Sequence, residues 1–181
     1  CLESLTKTLD SLMETKNEEE KLKNKEWNSC LFQIIITLIT YQKVFKFTHN
    51  DLHTNNIMYI KTEKKHLYYK FNNKHYKVPT YGRIYKIIDF GRSIYKYKKK
   101  TFCSDCFHPK GEAGNQYNCE PYYNSKKPVI NPNYSFDLCR LGSALFDTFV
   151  ENMDNMDNIK NPIAKQVIEW CKDDKNMLVV Y

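Results

Sequence analysis

The segment THNDLHTNNI, residues 48–57, decides how the rest of this sequence is interpreted. It follows a long apolar stretch with helical periodicity and precedes a short apolar run typical of a strand. Within it, Asp51 and Asn56 stand five residues apart. These two side chains could belong to a loop that carries chemistry, and an inert polar loop is the alternative.

Two segments further along the chain favour the chemical interpretation. Residues 87–91 read IIDFG, an apolar strand that ends in the carboxylate Asp89 and is followed by a glycine. Residues 136–142 read FDLCRLG and open a new helical pattern with Asp137 near its start. Three segments in this order on a helix, loop, strand, loop and helix weaken the reading of residues 48–57 as an inert loop.

Together the three segments resemble the catalytic loop, the Asp-Phe-Gly motif and the large C-lobe helix of the protein-kinase-like fold. The resemblance implies that Asp51 accepts the proton of the acceptor hydroxyl. It also implies that Asn56 and Asp89 hold Mg²⁺ against the phosphates of ATP. Three other residues are implied to support the site structurally: His49 through packing and backbone bonds, Gly91 by letting the chain turn, and Asp137 by bonding the backbone of the loop.

Two departures narrow the branch of the fold. Conventional protein kinases carry Arg before the catalytic Asp and Lys two positions after it, where this chain has Asn50 and His53. The Asp-Leu-His order is similar to the haspin family of atypical Ser/Thr kinases, and also to aminoglycoside and choline phosphotransferases. His53 is a candidate catalytic residue that either contacts the γ-phosphate or forms a structural hydrogen bond inside the loop. Because Asn50 carries no charge, we expect activity without activation-loop phosphorylation.

Other segments extend the haspin resemblance, with one exception. The insertion between Asn56 and Asp89 resembles an extended hairpin of the haspin family. Residues 105–107, 111–117 and 170–174 resemble haspin-like Ser/Thr kinases of giant DNA viruses. Haspin itself has a different triplet in place of Asp-Phe-Gly, so this chain departs from it there.

Composition bounds the class of protein. With 181 residues, 41% of them hydrophobic and 27% charged, residues 1–181 fit a single domain with a core. No run of eighteen apolar residues occurs, which argues against a membrane span. Seven irregularly spaced cysteines argue against a secreted disulfide framework and predict a reducing, intracellular location, cytoplasmic or nuclear. Residues 61–110 hold fourteen Lys and Arg against three acids, almost all Lys, so nucleic acid is not the expected partner.

Periodicity predicts the elements in coarse form. Helices are expected over Leu2–Met13, Trp27–Phe45, Phe136–Phe149 and Ile163–Cys171. Strands are expected over Ile57–Ile60, Leu67–Phe71, His75–Val78 and Ile84–Ile88, with a turn at residues 72–74. Three stretches are expected to be solvated or irregular: a connection or helix extension over residues 17–26, a basic edge over residues 96–100 and a long segment over residues 101–133.

Cysteines in the long segment raise the question of a metal. Cys103, Cys106, His108 and Cys119 offer one Cys-x-x-Cys pair with two further ligands, a zinc clip in principle. With only one such pair, ordinary loop cysteines without stoichiometric zinc are expected. Residues 120–121 carry Glu-Pro, the reverse of the kinase Ala-Pro-Glu order, so the end of the activation segment is not identified.

The sequence shows no Gly-rich loop and no strand lysine with a helix glutamate. The N-terminal lobe that would cover ATP is therefore expected to be absent from this chain. The chain starts at Cys1 and stops at an apolar run, so a piece of a longer protein, the parent, is expected.

The sequence thus predicts an α+β fold, the mainly helical C-terminal lobe of a protein-kinase-like domain, with short β-hairpins that carry the catalytic loop. The expected function is ATP- and Mg²⁺-dependent phosphoryl transfer to a Ser/Thr hydroxyl of a protein substrate, with this piece alone inactive. The expected partners are that substrate and the N-terminal lobe of the same polypeptide, with no membrane. The alternatives are a small-molecule kinase of the aminoglycoside or choline type and a non-catalytic, kinase-like binding module that docks through its basic middle.

Overall fold

A computed structural model describes residues 4–117, 126, 129–150, 156 and 158–180. Within these ranges the chain is mixed α/β, with four α-helices and three small antiparallel sheets. The helices are α1 (Leu9–Met13), α2 (Asn24–Phe45), α3 (Phe136–Phe149) and α4 (Pro162–Trp170). The strands are β1 (Lys7–Thr8), β2 (Ile57–Lys61), β3 (His66–Phe71), β4 (Lys74–Pro79), β5 (Arg83–Ile87), β6 (Tyr95–Tyr97) and β7 (Lys100–Phe102). None of the helices in these ranges is both long and apolar enough to cross a membrane.

Helix α2 is the longest element and leads into the 48–57 segment. At its N-terminus the Glu26 carboxylate accepts a hydrogen bond of 2.8 Å from the Lys23 N–H, which satisfies one end group and suits the helix dipole. In its middle, buried Gln33 bonds across to β5, since its Oε1 accepts from the Tyr85 N–H at 3.0 Å. The helix ends at Lys46, which adopts the left-handed conformation with φ 50°.

The sheet that carries the site consists of β1, β2 and β5 in that order. Strands β2 and β5 pair antiparallel over five residues, with Ile57 opposite Ile87. The pairing continues one step further, because the Ile88 N–H donates to the Asn56 carbonyl at 3.0 Å. Asn56, directly before β2, is thus bonded to Ile88, directly after β5, and Asp89 is the next residue along the chain.

Two separate hairpins complete the β-structure. Strands β3 and β4 form the longer one, with a turn at Asn72 and Asn73, both of which have positive φ. Strands β6 and β7 form a shorter hairpin directly after residues 89–91. Asparagine tolerates the left-handed conformation better than most residues, which suits the first turn.

The described hydrophobic residues pack into two clusters. The main cluster draws on α1, α2, β2, β5, α3 and α4, with Leu52 and Ile57 of the 48–57 segment among its fully buried members. The minor cluster contains five buried residues that follow the Asp-Phe-Gly motif: Ile94, Phe107, Ala113, Tyr117 and Ile130. The 48–56 loop therefore contributes to the main core, and the segment after the Asp-Phe-Gly motif has a small core of its own.

Most predicted elements occur, with shifts of one to three residues at their ends, and the mixed architecture agrees with the predicted α+β class. The helix predicted over Leu2–Met13 is wrong over residues 4–8, because Lys7 and Thr8 pair with the edge of β2 and the helix starts only at Leu9. Its cap is Thr8, whose hydroxyl accepts from the Ser11 N–H at 3.1 Å. The stretch 17–26, expected to be a solvated connection or a helix extension, ends as a helix extension, since Asn24–Glu26 belong to α2.

The basic edge and the long irregular segment need a similar correction. Residues 96–100 are exposed and basic as expected, yet they form most of the β6–β7 hairpin. The segment predicted to be irregular from residue 101 begins with the end of β7 and a 3₁₀ turn at Asp105–Phe107. Alternation of aromatic and lysine side chains over residues 95–102 is the strand signal that the lysine content hid.

Candidate active site

The 48–56 loop is fixed at its start by a backbone pair. The Thr48 N–H donates to the Ile94 carbonyl at 2.8 Å, and the Ile94 N–H returns a bond of 3.0 Å. Both residues are fully buried. The loop therefore runs beside the segment that follows the Asp-Phe-Gly motif, and the two cannot move far apart while these bonds hold.

The buried carboxylate of Asp137 holds the backbone of the same loop by hydrogen bonds. Its Oδ2 accepts from the His49 N–H and its Oδ1 from the Asn50 N–H, each at 2.8 Å. The side chain is fully buried, and burial raises the pKa of the Asp137 carboxyl while the two N–H donors and His49 oppose that shift. A carboxylate whose two oxygens each take one backbone N–H fixes two consecutive peptide units of the loop.

Asn50 connects the loop to two later segments. It is buried and left-handed, with φ 65°, and its Nδ2 donates to the Arg92 carbonyl at 2.9 Å and to the Thr48 Oγ1 at 3.1 Å. Its Oδ1 accepts from the Tyr117 hydroxyl at 2.8 Å, and its carbonyl accepts from the Gln116 amide at 2.6 Å. Asn50 therefore connects the 48–56 loop to two later segments by hydrogen bonds alone.

Asp51 lies at the mouth of the site with a cation beside it. The Arg92 guanidinium stands 3.3 Å from the Asp51 Oδ1, with the two side chains 35% and 18% exposed. His53 is also close, with its Nε2 at 3.9 Å from the same oxygen. The Asp51 carboxylate is thus partly open to solvent and paired with Arg92.

His53 bonds inside the loop. Its Nε2 lies 3.2 Å from the Asn56 Nδ2, an amide nitrogen that can only donate, so the imidazole accepts there. Burial is the main cause that lowers the pKa of His53 below its ordinary value, and the Asp51 charge acts in the opposite direction. The structural hydrogen bond is one of the two roles that the sequence left open, and a phosphate contact stays a prediction.

The amide of Asn56 has a fixed orientation. Its Nδ2 donates to the Asp51 carbonyl at 2.9 Å and lies 3.2 Å from the His53 Nε2, so both amide hydrogens have acceptors. The side chain is only 8% exposed. The Oδ1 is consequently the atom of this amide that remains to face a cation.

Asp89 is an exposed carboxylate that directly follows Ile88, the residue whose N–H bonds the Asn56 carbonyl. It is left-handed with φ 60°, and its Oδ1 accepts from the Gly91 N–H at 3.3 Å. The turn expected at Gly91 is therefore made by Asp89, because Gly91 itself has no positive φ and a Cβ there would meet nothing closer than 3.4 Å. Gly91 serves the site through its N–H rather than through conformational freedom.

His49 joins the loop to the strand that ends at Asp89. Its Nε2 lies 2.8 Å from the Ile88 carbonyl, which can only accept, and its Nδ1 lies 3.3 Å from the Asp51 N–H, which can only donate. These partners assign the ring hydrogen to Nε2. The fully buried ring also contacts the Phe90 ring, with centroids 5.5 Å apart. His49 is positioned as a backbone-bonding and packing residue.

A polar cavity of about 450 Å³ adjoins Asp51 through Arg92. It is lined by Arg92, Pro109 and residues 111–116. Gln116, on its wall, is the residue whose amide bonds the Asn50 carbonyl. The cavity is thus built on the same bonds that order the 48–56 loop.

Three of these residues were not among the predicted site residues: Arg92, Gln116 and Tyr117. The Arg92 guanidinium pairs with Asp51. Its position directly after Asp-Phe-Gly, as one of three arginines among 28 cations, was an available signal. Gln116 and Tyr117 lie in the 111–117 segment singled out in the sequence, but their partner Asn50 is 66 or 67 residues away, so spacing did not assign them to the site.

The zinc question and the Ala-Pro-Glu question involve residues beyond the described ranges. Cys119 and residues 120–121 lie there. Among the described residues, no group of three or more His, Cys, Asp or Glu could hold a metal ion. The absence of stoichiometric zinc stays a prediction. A Mg²⁺ site is a different case, because this ion is commonly held by one or two protein oxygens and completed by phosphates and water.

Comparison with known proteins gives partial matches. No family model matches the chain. The chain is 34% identical over 89 residues to the serine/threonine-protein kinase haspin of Bos taurus. The aligned region covers 49% of this chain and 10% of that protein. The chain is 39% identical over 77 residues to a probable serine/threonine-protein kinase of Dictyostelium discoideum, 39% of this chain and 6% of that protein.

A viral protein also matches, and all of these proteins are much longer than the chain. An uncharacterised protein of Invertebrate iridescent virus 6 is 39% identical over 88 residues, 44% of this chain and 15% of the viral protein. The matched part thus spans at most 15% of the length of these curated relatives. The partial matches to haspin and to a second Ser/Thr kinase support a kinase-like relationship for this chain.

Proposed function

We propose that this chain is the catalytic C-terminal lobe of an intracellular Ser/Thr protein kinase that uses ATP and Mg²⁺. The observation that carries the proposal is the arrangement around Asp51. Both N–H groups of the Asn56 amide have acceptors, which leaves its oxygen for a cation, and Asp89 directly follows Ile88, whose N–H donates to the Asn56 carbonyl. The partial matches to Ser/Thr kinases point the same way.

The donor set fits the ion that this chemistry needs. An amide oxygen and a carboxylate are hard ligands of the kind that Mg²⁺ accepts. Bound there, Mg²⁺ would neutralise charge on the phosphates of ATP. Asn56 and Asp89 are the residues proposed to hold it, and both are fixed by bonds to their own neighbours in the site.

Asp51 is the residue proposed to act on the acceptor. Its carboxylate takes the proton of a Ser or Thr hydroxyl as the hydroxyl oxygen bonds to the γ-phosphorus and the bridging oxygen leaves with ADP. The Arg92 guanidinium holds this carboxylate in place. Because 18% of the Asp51 side chain is exposed, an acceptor can reach it from the side of the polar cavity.

The test is Asp51→Asn in the parent polypeptide, where the ATP-covering lobe is expected. Phosphoryl transfer should fall about 10²–10⁴-fold, the size of a general-base contribution, with ATP affinity nearly unchanged. Asp89→Ala should instead weaken Mg²⁺-dependent nucleotide binding, measured by titration of the metal. Asp147→Asn is the matched control, since Asp147 is exposed on α3.

Two results would overturn the proposal. The first is near wild-type turnover of the Asp51→Asn variant at saturating Mg-ATP. The second is no transfer by the parent to any protein acceptor, with or without transfer to aminoglycosides or choline. In the 181-residue chain itself, Mn²⁺ should broaden NMR signals of Asn56 and Asp89 before those of Asp147, and uniform broadening would contradict the assigned metal site.

A further inference from the structure

The β6–β7 hairpin, residues 95–102, is the most basic surface of the described chain and is called the basic hairpin below. Four of its eight residues are exposed lysines: Lys96, Lys98, Lys99 and Lys100. None of them pairs with a carboxylate in the part of the chain that the structure describes. Two contact aromatic rings instead, with the Lys98 Nζ 5.4 Å from the Tyr97 centroid and the Lys100 Nζ 5.4 Å from the Phe102 centroid.

The tip of the basic hairpin places lysines where the backbone disfavours them. Lys98 and Lys99 form the two-residue turn with φ 47° and 64°, both left-handed. Turns of this kind prefer Asn-Gly, and a residue with an ordinary side chain pays about 1–2 kcal/mol for the left-handed conformation. Local folding therefore gives no reason for two lysines at this tip, and an observed outlier of this kind points to function.

The hairpin is also fixed beside the candidate active site. Its first strand follows Ile94, which pairs with Thr48 three residues before Asp51. The rings of Tyr95 and Phe102 stack at its base, with centroids 5.1 Å apart and planes at 11°. The chain that leaves it returns to the site, since the Ser104 hydroxyl donates to the Gly91 carbonyl at 3.1 Å. The lysines thus stand on a hairpin whose base is bonded to the 48–56 loop and to residue 91.

The size and composition of this surface favour an acidic peptide over a nucleic acid. Three residues per strand span about 10 Å, enough for two or three residues of an extended peptide. All four cations of the hairpin are lysines, whereas bidentate hydrogen bonding to a nucleic-acid phosphate favours arginine. Residues 61–110 hold fourteen cations and three acids, and this positive charge attracts an acidic peptide over a longer range.

We propose that the basic hairpin docks an acidic stretch of the protein substrate and so presents a neighbouring Ser or Thr to Asp51. This inference rests on the proposed function and names its substrate class. The bound chemistry is the carboxylates of Asp and Glu side chains next to the acceptor residue.

The binding test uses the 181-residue chain and needs no catalysis. The probe is a fluorescein-labelled decapeptide with one Ser flanked by Glu, compared with the same peptide flanked by Gln. The variant K98N/K99G removes two charges and installs the preferred turn, so the hairpin is retained. The control K64Q/K65Q removes two exposed lysines from the loop between β2 and β3.

For K98N/K99G we expect binding of the Glu peptide at low salt to weaken about tenfold, the effect of losing two exposed charge pairs. For K64Q/K65Q we expect a change of less than about twofold, because that loop lies outside the hairpin. The Gln peptide should bind weakly to all three proteins. The difference between variant and wild type should shrink at high salt, where exposed charges are screened.

The kinetic test uses the parent. K98N/K99G should lower kcat/KM for the Glu peptide about tenfold and leave kcat at saturating peptide unchanged, since the variant does not touch the reacting groups. Docking is overturned if the Glu and Gln peptides are phosphorylated with equal kcat/KM, a result that leaves the proposed function standing. It is also overturned if K98N/K99G weakens a single-stranded oligonucleotide and not the Glu peptide. If the peptide binds through the hairpin and the parent phosphorylates nothing, the proposed function fails and the docking surface stands.

Discussion

Replacement of Asn50 tests whether neutral hydrogen bonds order the loop that carries Asp51. The Asn50 side chain makes three short contacts, to the Arg92 carbonyl at 2.9 Å, the Thr48 Oγ1 at 3.1 Å and the Tyr117 hydroxyl at 2.8 Å. Asn50→Ala removes all three. It also places Ala in a left-handed conformation that Asn tolerates.

The expected magnitude follows from these contacts. A neutral buried hydrogen bond contributes about 1 kcal/mol net, so three contribute about 3 kcal/mol. The left-handed backbone adds about 1 kcal/mol for Ala relative to Asn. We expect Asn50→Ala to lower the free energy of unfolding by about 4 kcal/mol, a large part of the 5–15 kcal/mol typical of a domain. Asn50→Gly should cost about 3 kcal/mol, because it loses the bonds without the backbone penalty.

The assay is urea unfolding of the 181-residue chain, followed by the fluorescence of its tryptophans. Asn73→Ala is the matched control, since Asn73 is also left-handed, with φ 60°. Its side chain is exposed in the β3–β4 turn and makes no hydrogen bond within the described part of the chain. The control should lose only about 1 kcal/mol. Equal losses for Asn50→Ala and Asn73→Ala would refute the idea that the Asn50 bonds stabilise the loop.

Three further outcomes are expected. Gly142→Ala should lower the free energy of unfolding by about 1–2 kcal/mol in the same urea assay, because the new Cβ would lie 2.8 Å from the Cys171 Sγ. An unchanged free energy of unfolding would contradict this packing. So would an equal destabilisation by Gly142→Ala in a Cys171→Ala background. Burial raises the pKa of Cys171 to about 11, so only about one thiol in a thousand is ionised at pH 8, and iodoacetamide should modify it in the folded chain only as the pH rises toward 11. Mass spectrometry that finds Cys171 alkylated at pH 8 before unfolding would count against its burial. Phosphatase treatment of the parent should leave its initial rate unchanged, since Asn50 orders the loop without charge, and a hundredfold loss would show that phosphorylation is needed.

The sequence predicted the elements whose signals are local. Helices α2, α3 and α4 and the strands β2 to β5 follow from apolar periodicity that agrees with their final packing. The first helix was mispredicted because its leucine spacing is helical, while the free edge of β2 supplies backbone partners for residues 6–8. Pairing with a strand some 50 residues away leaves no trace in a short sequence window.

For the candidate site, the order of motifs predicted which residues meet but not how they are held. The positions of Asp51, Asn56 and Asp89 relative to helix α2 and strands β2 and β5 could be read from spacing. The Asp51–Arg92 ion pair and the bonds from Asn50 to Tyr117 could not, since they depend on the path of the chain after the Asp-Phe-Gly motif. Contacts of that kind are set by tertiary packing rather than by local preference.

The division of the hydrophobic residues into two clusters implies two levels of local stability. Among the described residues, the minor cluster contains five buried side chains, including Ile94 and Tyr117, whereas α2, α3 and α4 share the main one. Such a small unit is expected to open by itself, with its amides exchanging hydrogen for deuterium while the helices stay protected. Each opening would release the Thr48–Ile94 pair and the Tyr117 bond to Asn50 together. The fraction of time in which the site is assembled then depends on the stability of the minor cluster. A ligand that bridges both clusters would slow amide hydrogen exchange in the minor cluster first.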